Sequence, residues 1–187
     1  MDTLTLVLVV VVVAALLIGL AVLAGRGRQR RSEHLQERFG DEYDRTVERE
    51  GDQRAAEEEL ARRERRRRKF DIRPLDPEAR DRYAEAWRET QVQFVDDPSG
   101  ATRNADLLVA AVMRDRGYPL DEFEKRSADI SVDFPEVVED YRVAHDISVA
   151  NDEDRASTED LRRALISYRR LFERMLADPQ PEDAERR

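Results

Sequence analysis

From Leu4 to Leu23 the chain runs LTLVLVVVVVAALLIGLAVL without a charged side chain. At about 1.5 Å of rise per residue a helix over this run is roughly 30 Å long, the hydrocarbon thickness of a bilayer. Its valines favour a strand in water. A lone strand in lipid, however, leaves its backbone donors and acceptors unpaired, so the run is predicted to be a transmembrane helix. Two other readings compete, a secretory signal and a buried helix of a soluble domain. Val22-Leu23-Ala24 offers the signal a cleavage site, but Asp2 is the one charge ahead of the run and no basic residue precedes it. The run also exceeds the usual core of about 7 to 15 residues. A soluble core helix is opposed by the length and by the absence of internal charge. Ala15 and Gly19, like Ala21 and Gly25, stand four apart, a spacing that lets helices approach closely but is also common as lipid-facing filler.

Beyond the run the apolar positions thin to a narrow stripe, Leu35, Phe39, Tyr43 and Val47, one every four residues. Gly40-Asp41 and Gly51-Asp52 each supply a glycine stop followed by an N-cap. The segment from Asp52 is almost wholly charged. It sets Glu58 with Arg62, Glu59 with Arg63 and Glu64 with Arg68 at the spacing that supports an exposed helix. Residues 26–70 are therefore predicted to form a charged helical stalk.

From Pro74 the periodicity widens into that of a packed domain. Asp76-Pro77 opens a helix with Ala79, Tyr83, Ala86, Trp87, Thr90 and Phe94 on one face, ending near Asp96-Asp97-Pro98. A second, from about Ala101, turns Ala105, Leu108, Val109, Val112 and Met113 inward and stops at Gly117-Tyr118-Pro119. A short segment with Leu120, Phe123 and Ile130 follows. Asp133-Phe134-Pro135 is read as the start of a helix bearing Val137, Val138, Tyr141, Ala144, His145 and Ser148, and Asn151 to Asp154 as a loop. Ser157 and Asp160 make a capping-box-like start for the last helix, whose Leu161, Ala164, Leu165, Tyr168, Phe172, Met175 and Leu176 form a broad stripe. Strand signals are nearly absent. The predicted fold is all-α: an anchor over 1–25, a stalk over 26–70, a four- to five-helix acidic bundle over 71–178 and a frayed tail over 179–187.

Charge orients this arrangement. Arg26, Arg28, Arg30 and Arg31 follow the apolar run at once, and basic residues beside a span stay on the cytoplasmic side. That puts the N-terminus outside and the bundle in the cytoplasm. Residues 26–70 hold 15 basic and 12 acidic side chains, whereas 71–187 hold 18 and 29. Arg65, Arg66, Arg67, Arg68 and Lys69 form one basic run, read as part of a solvated stalk, as a contact for anionic lipid, or as one for nucleic acid. Nucleic acid is disfavoured, because no aromatic residues interleave with the arginines and the remainder is acidic. For lipid, geometry at Gly51 matters. A straight helix would carry the run about 60 Å from the bilayer, whereas a reversal at Gly51 would return it to roughly 10 Å.

Candidate chemistry is sparse. The chain has no cysteine, which excludes disulfides and thiolate chemistry. Gly40, Gly51, Gly100 and Gly117 stand isolated, so no phosphate-cradling loop can be assembled. No serine sits in a nucleophile-elbow motif. His34 falls in the stalk. His145 is preceded at the spacing of a di-iron motif by Arg142 rather than glutamate, and is read as a buried histidine bonded to a neighbouring tyrosine or carbonyl, against a ligand or catalytic role. The acidic NDEDRASTED lacks the glycine and closing glutamate of a calcium loop. The Tyr83, Trp87 and Phe94 stripe is read as core rather than a ligand box. No cofactor or metal is expected, and the expected partners are the lipid bilayer and a protein.

The segments ERFGDEYDRTVE, DIRPLDPEARDRYAEAWRETQVQFVDDP, MRDRGYP and STEDLRRALISYRRLFERML resemble a family of actinobacterial proteins labelled membrane or secreted. The resemblance covers most of the chain after the apolar run. It implies an N-terminal hydrophobic segment and a helical remainder, and it assigns no activity and no functional residue. Three functions stay open: a membrane-tethered adaptor first, an exported helical binding protein second, and an enzyme using His145 third.

Overall fold

The computed structural model describes residues 26–177 apart from Arg28, and every regular element among them is a helix. The expected membrane helix over Leu4 to Leu23 and the tail over 179–187 lie outside the described residues. Among those residues no helix is long and apolar enough to cross a membrane. The chain divides into two compact units, Met1–Arg38 and Phe39–Arg187. Of the first unit, α1 (29–39) is described up to Arg38, where the unit ends, with Arg26, Arg30 and Arg31 exposed.

In the larger unit, α2 (Asp41–Glu50) and α3 (Gln53–Arg67) form a hairpin. Its turn is built on Gly51, whose φ of 69° is open to glycine at little cost and whose N–H bonds to the Val47 carbonyl. Asp52 then caps α3 by accepting from the Ala55 N–H at 2.8 Å. The two helices meet through Tyr43, whose hydroxyl lies 3.0 Å from Glu57 Oε1 and accepts from Gln53 Nε2 at 3.0 Å. This corrects the stalk expected over 26–70. From Phe39 onward the segment belongs to the compact unit, and Phe39, Tyr43, Ala56, Leu60 and Ala61 are buried. The charged exterior of α3 concealed a narrow apolar seam sufficient for one hairpin.

The bundle proper comprises α4 (Pro77–Gln93), α5 (Pro98–Asp115), α6 (Phe123–Ile130), α7 (Val138–Asp152) and α8 (Thr158–Ala177), with α8 packed on both α5 and α7. Asp76 caps α4 through the Ala79 N–H at 2.6 Å, and Asp97 caps α5 through the Gly100 N–H at 2.8 Å. Helix α5 therefore starts at Pro98, ahead of the expected Ala101, because Asp97-Pro98 repeats the signature of Asp76-Pro77. Helix α7 differs more. It begins at Val138 rather than after Asp133, since the Asp133 carboxylate accepts from the Tyr118 hydroxyl at 2.6 Å and pairs with Arg67 instead of capping a helix. It also runs through Asn151, expected in a loop, and ends at Asp152, two residues before Asp154, whose φ is 54°. Ser157 and Asp160 form the anticipated reciprocal cap of α8, at 2.9 and 3.2 Å.

The apolar core gathers Val109, Val112 and Met113 of α5, Tyr141 and Ala144 of α7, and Tyr168, Leu171, Phe172 and Met175 of α8. Trp87 of α4 closes it by stacking on Phe172 with ring centroids 4.6 Å apart. Gly117 ends α5 at φ 91°, with the Tyr118 N–H reaching the Met113 carbonyl at 2.9 Å, and a Cβ there would press into the Asp71 carbonyl oxygen. Gly117→Ala is expected to cost about 1 to 3 kcal/mol from the backbone conformation alone, with the clash in addition. Thermal unfolding of the full chain in detergent would show it as a lowered midpoint, and an unchanged midpoint would refute the assignment.

Candidate functional site

Helix α3 places its basic residues on two faces. Arg63, Arg66, Arg67 and Phe70 recur at helical spacing on the side that meets the bundle. Arg63 is 4% exposed; it donates to Glu42 Oε1 at 2.6 Å, to Glu59 Oε1 at 3.1 Å and to Ser131 Oγ at 3.1 Å. From α7, Arg142 grips the same Glu42 with two nitrogens, at 2.7 and 2.8 Å. Burial alone would raise the Glu42 carboxyl, but the hydrogen bonds and charges of Arg142 and Arg63 outweigh it and hold the group below the usual carboxylate range. Arg45 of α2 pairs with Glu139 of α7. One turn on, Arg66 bonds Asp129 at 2.8 and 3.1 Å and pairs with Asp121, while Arg67 pairs with Asp133. Asp129 is shifted the other way, because its burial raises the carboxyl more than Arg66 lowers it.

Of the basic run singled out in the sequence, Arg66 and Arg67 are thus committed to the bundle, whereas Arg65, Arg68 and Lys69 are exposed. Arg28 lies outside the described residues. The helical phase of Arg63, Arg66 and Arg67 was legible, but Glu42 and Arg142 stand 100 residues apart and no local pattern connects them.

A second cluster surrounds His145, between α5, α6, α7 and α8. The imidazole does not bond to a tyrosine or carbonyl, as expected from sequence; it stacks on Phe123 with centroids 3.5 Å apart and planes inclined by 9°. Its Nδ1 is buried without a hydrogen-bond partner. Burial holds its pKa below the ordinary histidine value against the pull of Asp106. The Arg126 guanidinium lies 5.8 Å from the ring centroids of both Phe123 and Tyr141. Ser148 pairs with the Tyr168 hydroxyl at 3.0 Å rather than with the histidine. His34 sits exposed on α1. Among the described residues no group of three or more His, Asp and Glu is placed to hold a metal.

A third feature is a groove of about 510 Å³ between α7 and α8. Val143 and Ile166 supply its apolar surface, and Ile166 is 50% exposed. Asp140 and Arg170, paired at 2.9 Å, line it, with Glu159 and Arg163. The sequence held one overlooked signal for it, since Ile166 falls outside the inward stripe of α8 and leaves a large aliphatic side chain in water. These elements make the described residues all-helical, with a charged hairpin docked on a small bundle. Comparison with known protein families, characterised proteins and solved structures finds no match.

Proposed function

We propose that this chain is a membrane-tethered interaction protein, not an enzyme, in which the run from Leu4 to Leu23 anchors an acidic helical domain at the inner leaflet. The observation that carries the reading is the apolar run itself, of bilayer length, uncharged and flanked on its C-terminal side by Arg26, Arg28, Arg30 and Arg31. The α7–α8 groove supports the interaction half of the reading. It would take a peptide segment with one apolar residue for Val143 and Ile166, beside a polar rim in which Arg163 and Arg170 stand among Asp140, Glu159 and Asp160.

Fractionation with a topology reporter tests the tether. The full chain is expected to stay with membranes after an alkaline wash, to keep its N-terminus, and to report a cytoplasmic C-terminus. A mature chain beginning after Ala24, or an external C-terminus, would overturn this reading in favour of an exported helical binding protein, which Val22-Leu23-Ala24 would serve as a cleavage site.

A further inference from the structure

Arg65, Arg68 and Lys69 lie three and four residues apart on the helical turn that ends α3, which the Arg68 N–H to Glu64 carbonyl bond of 3.1 Å and the Lys69 N–H to Arg66 carbonyl bond of 3.0 Å carry past Arg67. Successive residues turn by about 100°, so these three centre on the side of the helix opposite Arg63, Arg66, Arg67 and Phe70. All three are exposed, and none makes an ion pair or hydrogen bond through its side chain among the described residues. The carboxylates of α3 on this side are engaged elsewhere, Glu58 with Arg54, Glu59 with both Arg62 and Arg63, and Glu64, adjacent to Arg65, with a partner outside these three residues. On a chain of net charge −9 this face of α3 thus presents three cations that make no ion pair among the described residues.

We propose that Arg65, Arg68 and Lys69 are a second contact of the tethered chain, binding anionic lipid headgroups. The inference rests on the membrane-tethered reading above. Three cations bind an anionic surface weakly from free solution, but a tether raises the effective concentration of headgroups and makes a small patch sufficient. Nucleic acid suits the face less well, because single strands need stacking platforms. Phe70, the aromatic residue of this segment, is half-buried on the other face beneath the Arg66 guanidinium, 5.5 Å from its centroid. The surrounding negative charge also opposes a long polyanion, whereas headgroups can meet the three side chains alone.

The chain has no cysteine, so Arg62→Cys supplies a single labelling site beside this face. The labelled full chain would be reconstituted into phosphatidylcholine vesicles with and without about one-third phosphatidylserine, and quenching by headgroup-nitroxide lipid recorded. Quenching is expected to rise about twofold or more with phosphatidylserine, and to fall back with salt. The gain should vanish in R65Q/R68Q/K69Q and persist in R88Q/R103Q/R162Q, which removes equal charge from other exposed positions. Equal quenching in both vesicles, or a gain that survives R65Q/R68Q/K69Q, would overturn the inference. So would a response to an added oligoribonucleotide, dependent on the same three residues, in place of the response to phosphatidylserine. A chain that fails to float with either vesicle would instead defeat the tethered reading, and this inference with it.

Discussion

Replacing Glu42 with glutamine is expected to lower the stability of the larger unit by about 3 to 5 kcal/mol, the cost of removing one partner from a buried ion pair. Glutamine preserves the shape of the side chain but removes the carboxylate shared by two guanidinium groups, leaving Arg63, at 4% exposure, with Glu59 and Arg142, with its side chain at 13%, with the half-exposed Glu139. Urea unfolding of the detergent-solubilised chain, followed by fluorescence of Trp87, would show a lower midpoint. An unchanged midpoint would mean that water already solvates the network. The sign of the pH dependence follows from the depressed Glu42 carboxyl. Its contribution is present above the ordinary carboxylate value of 4.5 and drains away as the pH falls toward the lowered value of the folded state. The difference between the native chain and Glu42→Gln should accordingly shrink in acid.

Trp87→Ala is expected to cost a similar amount, about 3 to 5 kcal/mol, because it opens a cavity against Phe172 at the joint of α4 and α8. Trp87→Phe should cost far less, below about 1.5 kcal/mol. The Trp87 indole N–H is buried without an acceptor, so phenylalanine retains the stacking partner while removing an unpaired donor. Helical circular dichroism during denaturation measures both variants, since each lacks the fluorophore. Equal losses in the two would show that the indole nitrogen contributes after all.

The bundle was legible where its signals are local. Asp76-Pro77, Gly117-Tyr118-Pro119 and Ser157 with Asp160 mark boundaries because cap chemistry acts within a few residues. The failures came where a side chain had a distant use. Asp133 reads as a cap until Tyr118 and Arg67 claim it, and the start of α7 moves to Val138. The hairpin is hidden in the sequence for a related cause. A segment so rich in charge looks solvated, and only Glu42 of α2, Asp129 of α6 and Asp133 beyond it reveal that half of the arginines of α3 face protein. Periodicity puts Ile166 outside the inward stripe of α8, but the stacking of His145 on Phe123 does not follow from it, because it ranks residues by face and not by what the face meets.

The same charges make α3 intolerant of slippage. Advanced by one residue, Glu64 would stand where Arg63 stands and present a carboxylate to the buried Glu42; retarded by one, Glu59 would take the place of Leu60, which is 0% exposed. An apolar seam as narrow as this one would permit several alignments of nearly equal energy. The placement of glutamate and arginine along α3 therefore acts as a ratchet tooth, selecting a single docking of the hairpin where oiliness alone would leave it free to choose.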